Sequence, residues 1–413
     1  MELDLNHNEP TIMHLDLNSC FASIEQQANP LLRGKPIVVA AYTTPNGCIL
    51  APSIEAKKEG IKVGMRVRDA QFLYPKVVVL APDPPKYRNV HLRLRRLLNE
   101  YSPNVVPKSI DEAVIDFSGT TALKRGLVDT GLEIKRRIKS EIGEWLLCNI
   151  GISTNRLLAK LAASLHKPNG LDVITANNLI ETYQKTKLTD FCGINIRYEA
   201  RLNASGIFTP IDFLNASLQT LQKQVFKSIN GYNWYLRLRG WEVDAIDFGR
   251  KSYGHSYALP RPSDDEIELS KLLMKLCEKM GRRLRQAGYF TQGIHISTLY
   301  NDGTHWHKAM RLNRPIFSTP DLFSKAETVL NFQPQIKKIS NLTVSCYSLM
   351  KCSVDQLEIF DSGENRKKKL TQAVDNINDK YGEYVITPAL MLGLGDKIID
   401  RVAFGGVKEL EEW

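Results

Sequence analysis

Two segments of the chain set carboxylates among apolar residues: His14-Leu15-Asp16-Leu17-Asn18-Ser19-Cys20-Phe21 and Ser109-Ile110-Asp111-Glu112-Ala113-Val114-Ile115-Asp116-Phe117. A carboxylate in a half-buried strand is costly unless a cation or strong donors compensate it. Asp16, Asp111 and Glu112 have no base beside them, so they point to Mg2+, which takes oxygen ligands and keeps positions for water and phosphate. Adjacent residues of a regular strand face opposite ways. Asp111 and Glu112 can therefore serve one site only at a hairpin tip or bulge, with Asp16 completing it from a neighbouring strand and the carbonyl of Leu17 as a further ligand. Two ions about 4 Å apart would activate a hydroxyl and stabilise a leaving oxygen in phosphoryl transfer. Asp116 is read as a structural acid.

The elements that must hold these groups follow from the apolar pattern. Residues 11–17 fit a strand, and residues 20–27 carry apolar side chains at helical spacing, so Asp16 lies near a strand's carboxyl end. Asn18 and Ser19 are good N-cap types, and the free amides of a helix opening there suit phosphate. Residues 34–75 read as a small mixed α/β insertion, with a strand at 36–42 and a helix at 53–59. A basic helix spans 86–100. Residues 131–142 form an amphipathic helix, 146–152 a strand, and Ser153-Thr154-Asn155 caps the next helix, which Lys167-Pro168-Asn169-Gly170 ends.

Residues 188–241 break into short helices with glycines. Cys192-Gly193-Ile194-Asn195 resembles one hairpin of a helix-hairpin-helix, with Asn195 where glycine is expected. From 252 to 349 the pattern is strand 252–258, helix 265–287, strands 289–300 and 305–312, helix 318–330, and strand 336–347, a split βαβ unit. That stretch holds 13 Lys and Arg against 8 Asp and Glu, a net +5 that suits a phosphate backbone.

Composition agrees with a multidomain globular protein. The 413 residues exceed one ordinary core, 43% are hydrophobic and 24% charged, and no run of about eighteen apolar residues suggests a membrane span. The N-terminus has no signal-peptide pattern. Seven cysteines form no C-x-x-C pair and read as reduced thiols of the cytoplasm. The net charge of +10 favours a polyanionic partner.

Taken together, Asp16 to Phe21 with Ala22-Ser23-Ile24-Glu25, Ser109-Ile110-Asp111-Glu112-Ala113, Gly151-Ile152-Ser153 and Lys167-Pro168-Asn169-Gly170 resemble a Y-family translesion DNA polymerase of the DinB/UmuC type. The resemblance covers residues 11–350. It implies that Asp16, Asp111, Glu112 and the Leu17 carbonyl hold two Mg2+ ions, and that Asn18, Ser19 and Cys20 line the nucleotide site. By the same resemblance Phe21 is a steric gate against a 2'-hydroxyl, and Lys57 and Lys167 neutralise the incoming triphosphate. Ile54 stands where many DinB-type members carry Tyr and Ala51 where a hydroxyl residue is common, which implies fewer triphosphate contacts and a pocket closer to the UmuC type.

The expected fold is α+β. It comprises a palm with a mixed or antiparallel sheet (1–33 and 76–185), small fingers (34–75), a helical thumb (186–245), a linker (246–251) and a βαββαβ little finger (252–350). Beyond it, residues 351–413 read as a tail. Within that tail Gln356-Leu357-Glu358-Ile359-Phe360 resembles a clamp-binding peptide, with Gln356 in a polar subsite and Leu357, Ile359 and Phe360 in a hydrophobic cleft. A basic helix at 366–381, ended by Gly382, and a short strand at 398–404 follow. The implied activity is low-fidelity, template-directed transfer of a deoxynucleotide to a primer 3'-hydroxyl. The implied partners are primed DNA, dNTP, a sliding clamp and accessory SOS subunits, around a monomeric cytoplasmic catalytic chain. A non-catalytic scaffold that binds DNA and clamp would lack some of the metal acids, and this chain keeps all three. A nucleotide cyclase on a palm-like sheet has no use for the basic module or the clamp peptide.

Overall fold

The computed structural model describes residues 4–245, 249–334, 337–351, 363–382 and 384–394. The chain divides near residue 246 into two compact units. Among the described residues no helix is long and apolar enough to cross a membrane.

The first unit is organised by β1 (Ile12–Leu17). Small strands β2 (Ile37–Ala40), β3 (Ile49–Pro52) and β4 (Val78–Leu80) form a separate sheet in the order β3-β2-β4. It is joined by a helix at Ile54–Lys58, whose opening amide Ala56 N donates to Ser53 Oγ at 3.2 Å. The main sheet adds β5 (Asn104–Pro107), β6 (Glu112–Asp116), β7 (Cys148–Ser153) and β8 (Leu171–Val173) in the order β5-β6-β1-β7-β8. Its pairs are antiparallel except β7 with β8, so the sheet is mixed.

Period-two alternation sorts β1 cleanly. Met13, Leu15 and Leu17 join Phe21, Ile24, Tyr87, Leu94 and Ile150 in one core. His14 and Asp16 face the other side, where the helix Arg156–Leu165 lies. That helix approaches closely because β7 carries Gly151. A Cβ there would stand 2.0 Å from the Ala159 carbonyl oxygen and 2.2 Å from the Ala163 nitrogen.

Short helices beyond residue 178 enclose a second core of Tyr183, Phe191, Phe213 and Trp234. Asn195, the departure from the hairpin pattern, earns its place as a cap: its Oδ1 accepts from Arg197 N and Tyr198 N, each at 3.1 Å.

The second unit has the expected β-α-β-β-α-β order. β9 (Ser252–Ser263), β10 (Tyr289–Tyr300), β11 (His305–Ile316) and β12 (Ile339–Lys351) form one antiparallel sheet in the order β11-β10-β12-β9. Helices Glu266–Gln286 and Thr319–Leu330 pack on one face, with Leu273, Met280, Leu322 and Ile294 at the centre. Three strands run longer than their apolar patterns, because ladder pairing continues where alternation stops. Pro315 is tolerated because β11 is an edge strand.

Residues beyond 362 differ from a simple tail. The helix Glu364–Tyr381, ended by Gly382 at φ 116°, belongs to this unit. Lys275, Glu278, Lys279 and Arg282 lie on helix Glu266–Gln286 yet are buried. Arg285 makes a bidentate pair with Asp375 at 2.6 and 2.7 Å, and Arg282 meets Asp379 at 2.6 Å. The Lys275 ammonium sits 5.3 Å over the Tyr384 ring, while Met391 and Leu394 join the apolar core. The clamp-like residues Gln356, Leu357, Ile359 and Phe360, and the strand expected at 398–404, lie outside the described residues.

Breaking one partner of a buried pair leaves an uncompensated charge, at a cost of about 3 kcal/mol. Asp375→Ala should lower the urea midpoint of the second unit accordingly. An unchanged midpoint would mean that the Arg285–Asp375 pair contributes nothing to the unit's stability.

Candidate active site

The β1–β6 register sets Asp16 directly opposite Glu112 at the end of the ladder. Asp111 is the residue before β6, at the turn of the β5–β6 hairpin, which is the bend that two adjacent acids need. Three backbone bonds fix this turn. Leu17 N donates to the Asp111 carbonyl at 2.9 Å, Lys108 N to the Glu112 carbonyl at 2.9 Å, and Ser109 N to the same oxygen at 3.3 Å. The Ser109 hydroxyl holds Asp111 Oδ1 at 2.5 Å.

Cations face two of the acids. Lys160, on the helix that Gly151 admits, donates to both oxygens of Glu112 at 2.9 and 2.8 Å. Lys167 pairs with Asp16. Burial works against the Lys160 charge, but the bond to Glu112 outweighs it and raises the ammonium above its ordinary value. Among the described residues Asp111 has no such cationic partner. Burial first, then Asp16 and Glu112, push its carboxyl above the usual range, against the opposing bond from Ser109.

His14 lies two residues before Asp16 on the same face, 4.0 Å from Glu112. It is buried, and among the described residues neither ring nitrogen has a hydrogen-bond partner. Burial, with Lys160 next, pushes its pKa down to about 3, so the ring stays neutral.

The loop bearing Lys167 is tied to the same strand ends. Asn169 N donates to Asn18 Oδ1 and Gly170 N to Asn149 Oδ1, each at 2.8 Å. Asn18 thus positions the lysine loop, and its carbonyl accepts from the Ser23 hydroxyl at 2.7 Å. Ser19 occupies the N-cap position of the helix Cys20–Ala28 but has left-handed backbone, φ 49°, and its side chain does not cap the helix. Capping chemistry expected of Ser19 is therefore not used. Cys20 is buried, and its thiol is pushed well up by burial and then by Asp111 and Asp16. Lys57 is exposed. Burial and Lys167 lower its pKa, while Asp16 and Asp111 oppose them, so it feels the same charges.

Phe21 is 2% exposed and stacks on Tyr87, ring centroids 4.3 Å apart and planes 10° from parallel. Tyr87 is itself held by its hydroxyl bond to Glu25 at 2.8 Å, and Glu25 by Lys86 at 2.7 Å.

The donor set is carboxylate and carbonyl oxygen, which fits a hard divalent cation such as Mg2+ or Mn2+ better than zinc. Among the described residues no three His, Cys, Asp or Glu side chains already converge on one point. An ion shared by all three acids therefore requires a side-chain rotation. Sequence reading missed Lys160, His14 and Tyr87. For His14 the signal was present, since two-residue spacing in a strand puts it on the face of Asp16; Lys160 and Tyr87 sit on helices whose docking the spacing does not reveal.

Comparison with known proteins decides the family. Residues 15–164 match the impB/mucB/samB family and residues 250–359 its C-terminal domain. A DNA polymerase IV of Pelotomaculum thermopropionicum is 34% identical over 92% of this chain and 95% of its own length. The chain belongs to the impB/mucB/samB family. A DNA polymerase IV of Moorella thermoacetica is 32% identical over 92% of this chain and 96% of that protein. These relatives put the chain with the DinB-type Y-family polymerases, a metal-dependent group. Solved structures agree on the fold: a Y-family DNA polymerase chimera of Dbh and Dpo4 matches with TM-score 0.72 and 23% identity over 82% of this chain and 99% of that one. The insertion ternary complex of Dbh DNA polymerase matches with TM-score 0.56 and 24% identity over 82% of this chain and 99% of that one. The α+β multidomain architecture of palm, fingers, thumb and little finger is thus the fold of this family member.

The raised Asp111 carboxyl has a thermodynamic consequence. An acid whose folded pKa lies above its unfolded value costs stability as pH rises through that unfolded value, and the cost is complete once pH exceeds the folded value. Asp111→Asn should therefore raise Tm at pH 7 in EDTA. A lowered Tm would show that Asp111 is stabilised as the anion.

Proposed function

We propose that this chain performs template-directed deoxynucleotidyl transfer through Asp16, Asp111 and Glu112, with low fidelity and in translesion synthesis. The observation that carries the reading is the register of β1 and β6, which sets Asp16 opposite Glu112 with Asp111 at the adjoining turn. Two Mg2+ ions held by these acids and the Leu17 carbonyl would supply an activated primer hydroxyl and charge neutralisation on the phosphates. The chain's own residues bind and orient the substrate. Lys167, paired with Asp16, and Lys57, which feels the charges of Asp16 and Asp111, offer ammonium groups to the triphosphate. Asn18 ties the Lys167 loop to β1, and the opening amides of helix Cys20–Ala28, including those of Ser19 and Cys20, suit a phosphate oxygen. Phe21, backed by Tyr87, offers a flat ring under the sugar.

In this reading the palm is 1–33 and 76–185, the fingers 34–75, the thumb 186–245, the linker 246–251, and the little finger 252–350, which carries the duplex on its basic surface. Fingers of that size close loosely over a base pair, in keeping with tolerance of damaged templates. The protein is further read as a monomeric cytoplasmic enzyme of the SOS response, working with accessory subunits of that response. A transcript that does not rise after DNA damage would remove the SOS assignment.

Primer extension with Mg2+ on primed DNA tests the site. Asp111→Asn should lose extension by at least about 10²-fold, as expected when a metal ligand central to charge stabilisation is removed; equal extension would sink the metal assignment. Phe21→Ala should raise ribonucleotide incorporation, and an unchanged sugar preference would reduce Phe21 to packing. The clamp reading rests on the pattern Gln356-Leu357-Glu358-Ile359-Phe360. Replacing Leu357, Ile359 and Phe360 by Ala should abolish clamp-stimulated synthesis and spare basal synthesis; loss of both together would point to a folding role.

A further inference from the structure

The helix Pro84–Asn99 packs beside the acid turn with Tyr87, His91 and Leu94 buried. Residues four apart share a helix face. Tyr87 supports the Phe21 ring, and His91, one turn on, reaches the segment that carries Asp111. Its ring is 4% exposed, and Nδ1 lies 3.0 Å from the carbonyl oxygen of Ile110. A carbonyl can only accept, so Nδ1 carries the proton and donates it.

The three successive carbonyls of the turn are then held from three directions. Ile110 is held by His91, Asp111 by the β1 amide of Leu17, and Glu112 by the hairpin amides of Lys108 and Ser109. The His91 bond differs from the others because it comes from a side chain on a separate helix. It governs the peptide plane between Ile110 and Asp111. Rotation of that plane would swing the Asp111 carboxylate away from Asp16 and Glu112, and would leave a buried carbonyl without a donor.

We propose that His91 is a positioning residue for the metal-binding turn: by donating from Nδ1 to the Ile110 carbonyl it sets the direction of Asp111. The inference rests on the reading of Asp111 as a metal ligand. Groups that orient metal ligands through a hydrogen bond contribute to metal affinity even though they never touch the ion.

The test uses the full chain and Mn2+ binding followed by electron paramagnetic resonance, alongside kcat and the Kd for primed DNA. Asparagine places its amide nitrogen near the position of Nδ1, whereas glutamine places it near that of Nε2. His91→Gln and His91→Leu should each weaken Mn2+ binding about tenfold or more, with kcat falling and the DNA Kd unchanged. His91→Asn should bind Mn2+ as the wild type does. If His91→Leu does not fold, the Asn and Gln variants decide the matter. Wild-type Mn2+ affinity in His91→Gln would overturn the proposal, as would equal losses in His91→Asn and His91→Gln, since bulk and not the bond would then be at work. Asp111→Asn separates the two readings: equal Mn2+ binding by it and the wild type removes the metal assignment itself, whereas loss in Asp111→Asn with normal binding in His91→Gln removes only the role of His91.

Discussion

Mutual repulsion of three carboxylates is the constraint around which the first unit is built. At an effective dielectric constant of about 20, two like charges roughly 4 Å apart repel by about 4 kcal/mol, and burial adds a desolvation cost to each. Lys160 on Glu112 and Lys167 on Asp16 oppose this. Both lysines depend on backbone arrangements elsewhere. Lys160 reaches Glu112 because Gly151 lets its helix lie against the sheet, and Lys167 reaches Asp16 because Asn18 and Asn149 hold the following loop. Asp111 is left as the strained member, and strain of this kind at a charged cluster is what a bound cation relieves.

A second layer supports the groups that touch substrate in the proposed reaction. One helix, Pro84–Asn99, carries the ring behind Phe21 and the imidazole behind Ile110. The proposed sugar filter and the proposed metal turn are therefore braced by the same element. Its N-terminal end is locked to helix Cys20–Ala28 through Lys86, Glu25 and Tyr87.

The second unit solves a different problem. Helix Glu266–Gln286 is buried around most of its circumference, although it carries a stripe of charged residues. Burial of such a stripe is tolerable only with partners, and Asp375, Asp379 and Tyr384 provide them. From sequence, residues 351–413 read as a tail, because complementary charges 90 and 97 residues apart in sequence leave no local signal.

Legibility followed physical range. Strand β1, the acid pair of the β5–β6 hairpin and the split βαβ order were readable because alternation, turn residues and helical spacing are local, whereas of the small sheet only β2 was readable, its partners β3 and β4 being too short to show a pattern. Asn195 was noted as a departure, and only its bonds to the amides of Arg197 and Tyr198 explain it. Ser19 was readable as an N-cap type but its left-handed backbone was not, because the entry angle of the chain is set by Asn18 and Ser23. By itself the sequence determined which groups can do chemistry: oxygen ligands in two strand-like runs, an aromatic after the first, and lysines at defined distances along the chain. Only the tertiary structure decided which of them meet. Opposition of Asp16 and Glu112 comes from strand register, Lys160 from a helix docked on a glycine, and the bracing of Phe21 and Asp111 from one helix packed behind both, and each of these is a long-range packing contact that no local pattern encodes.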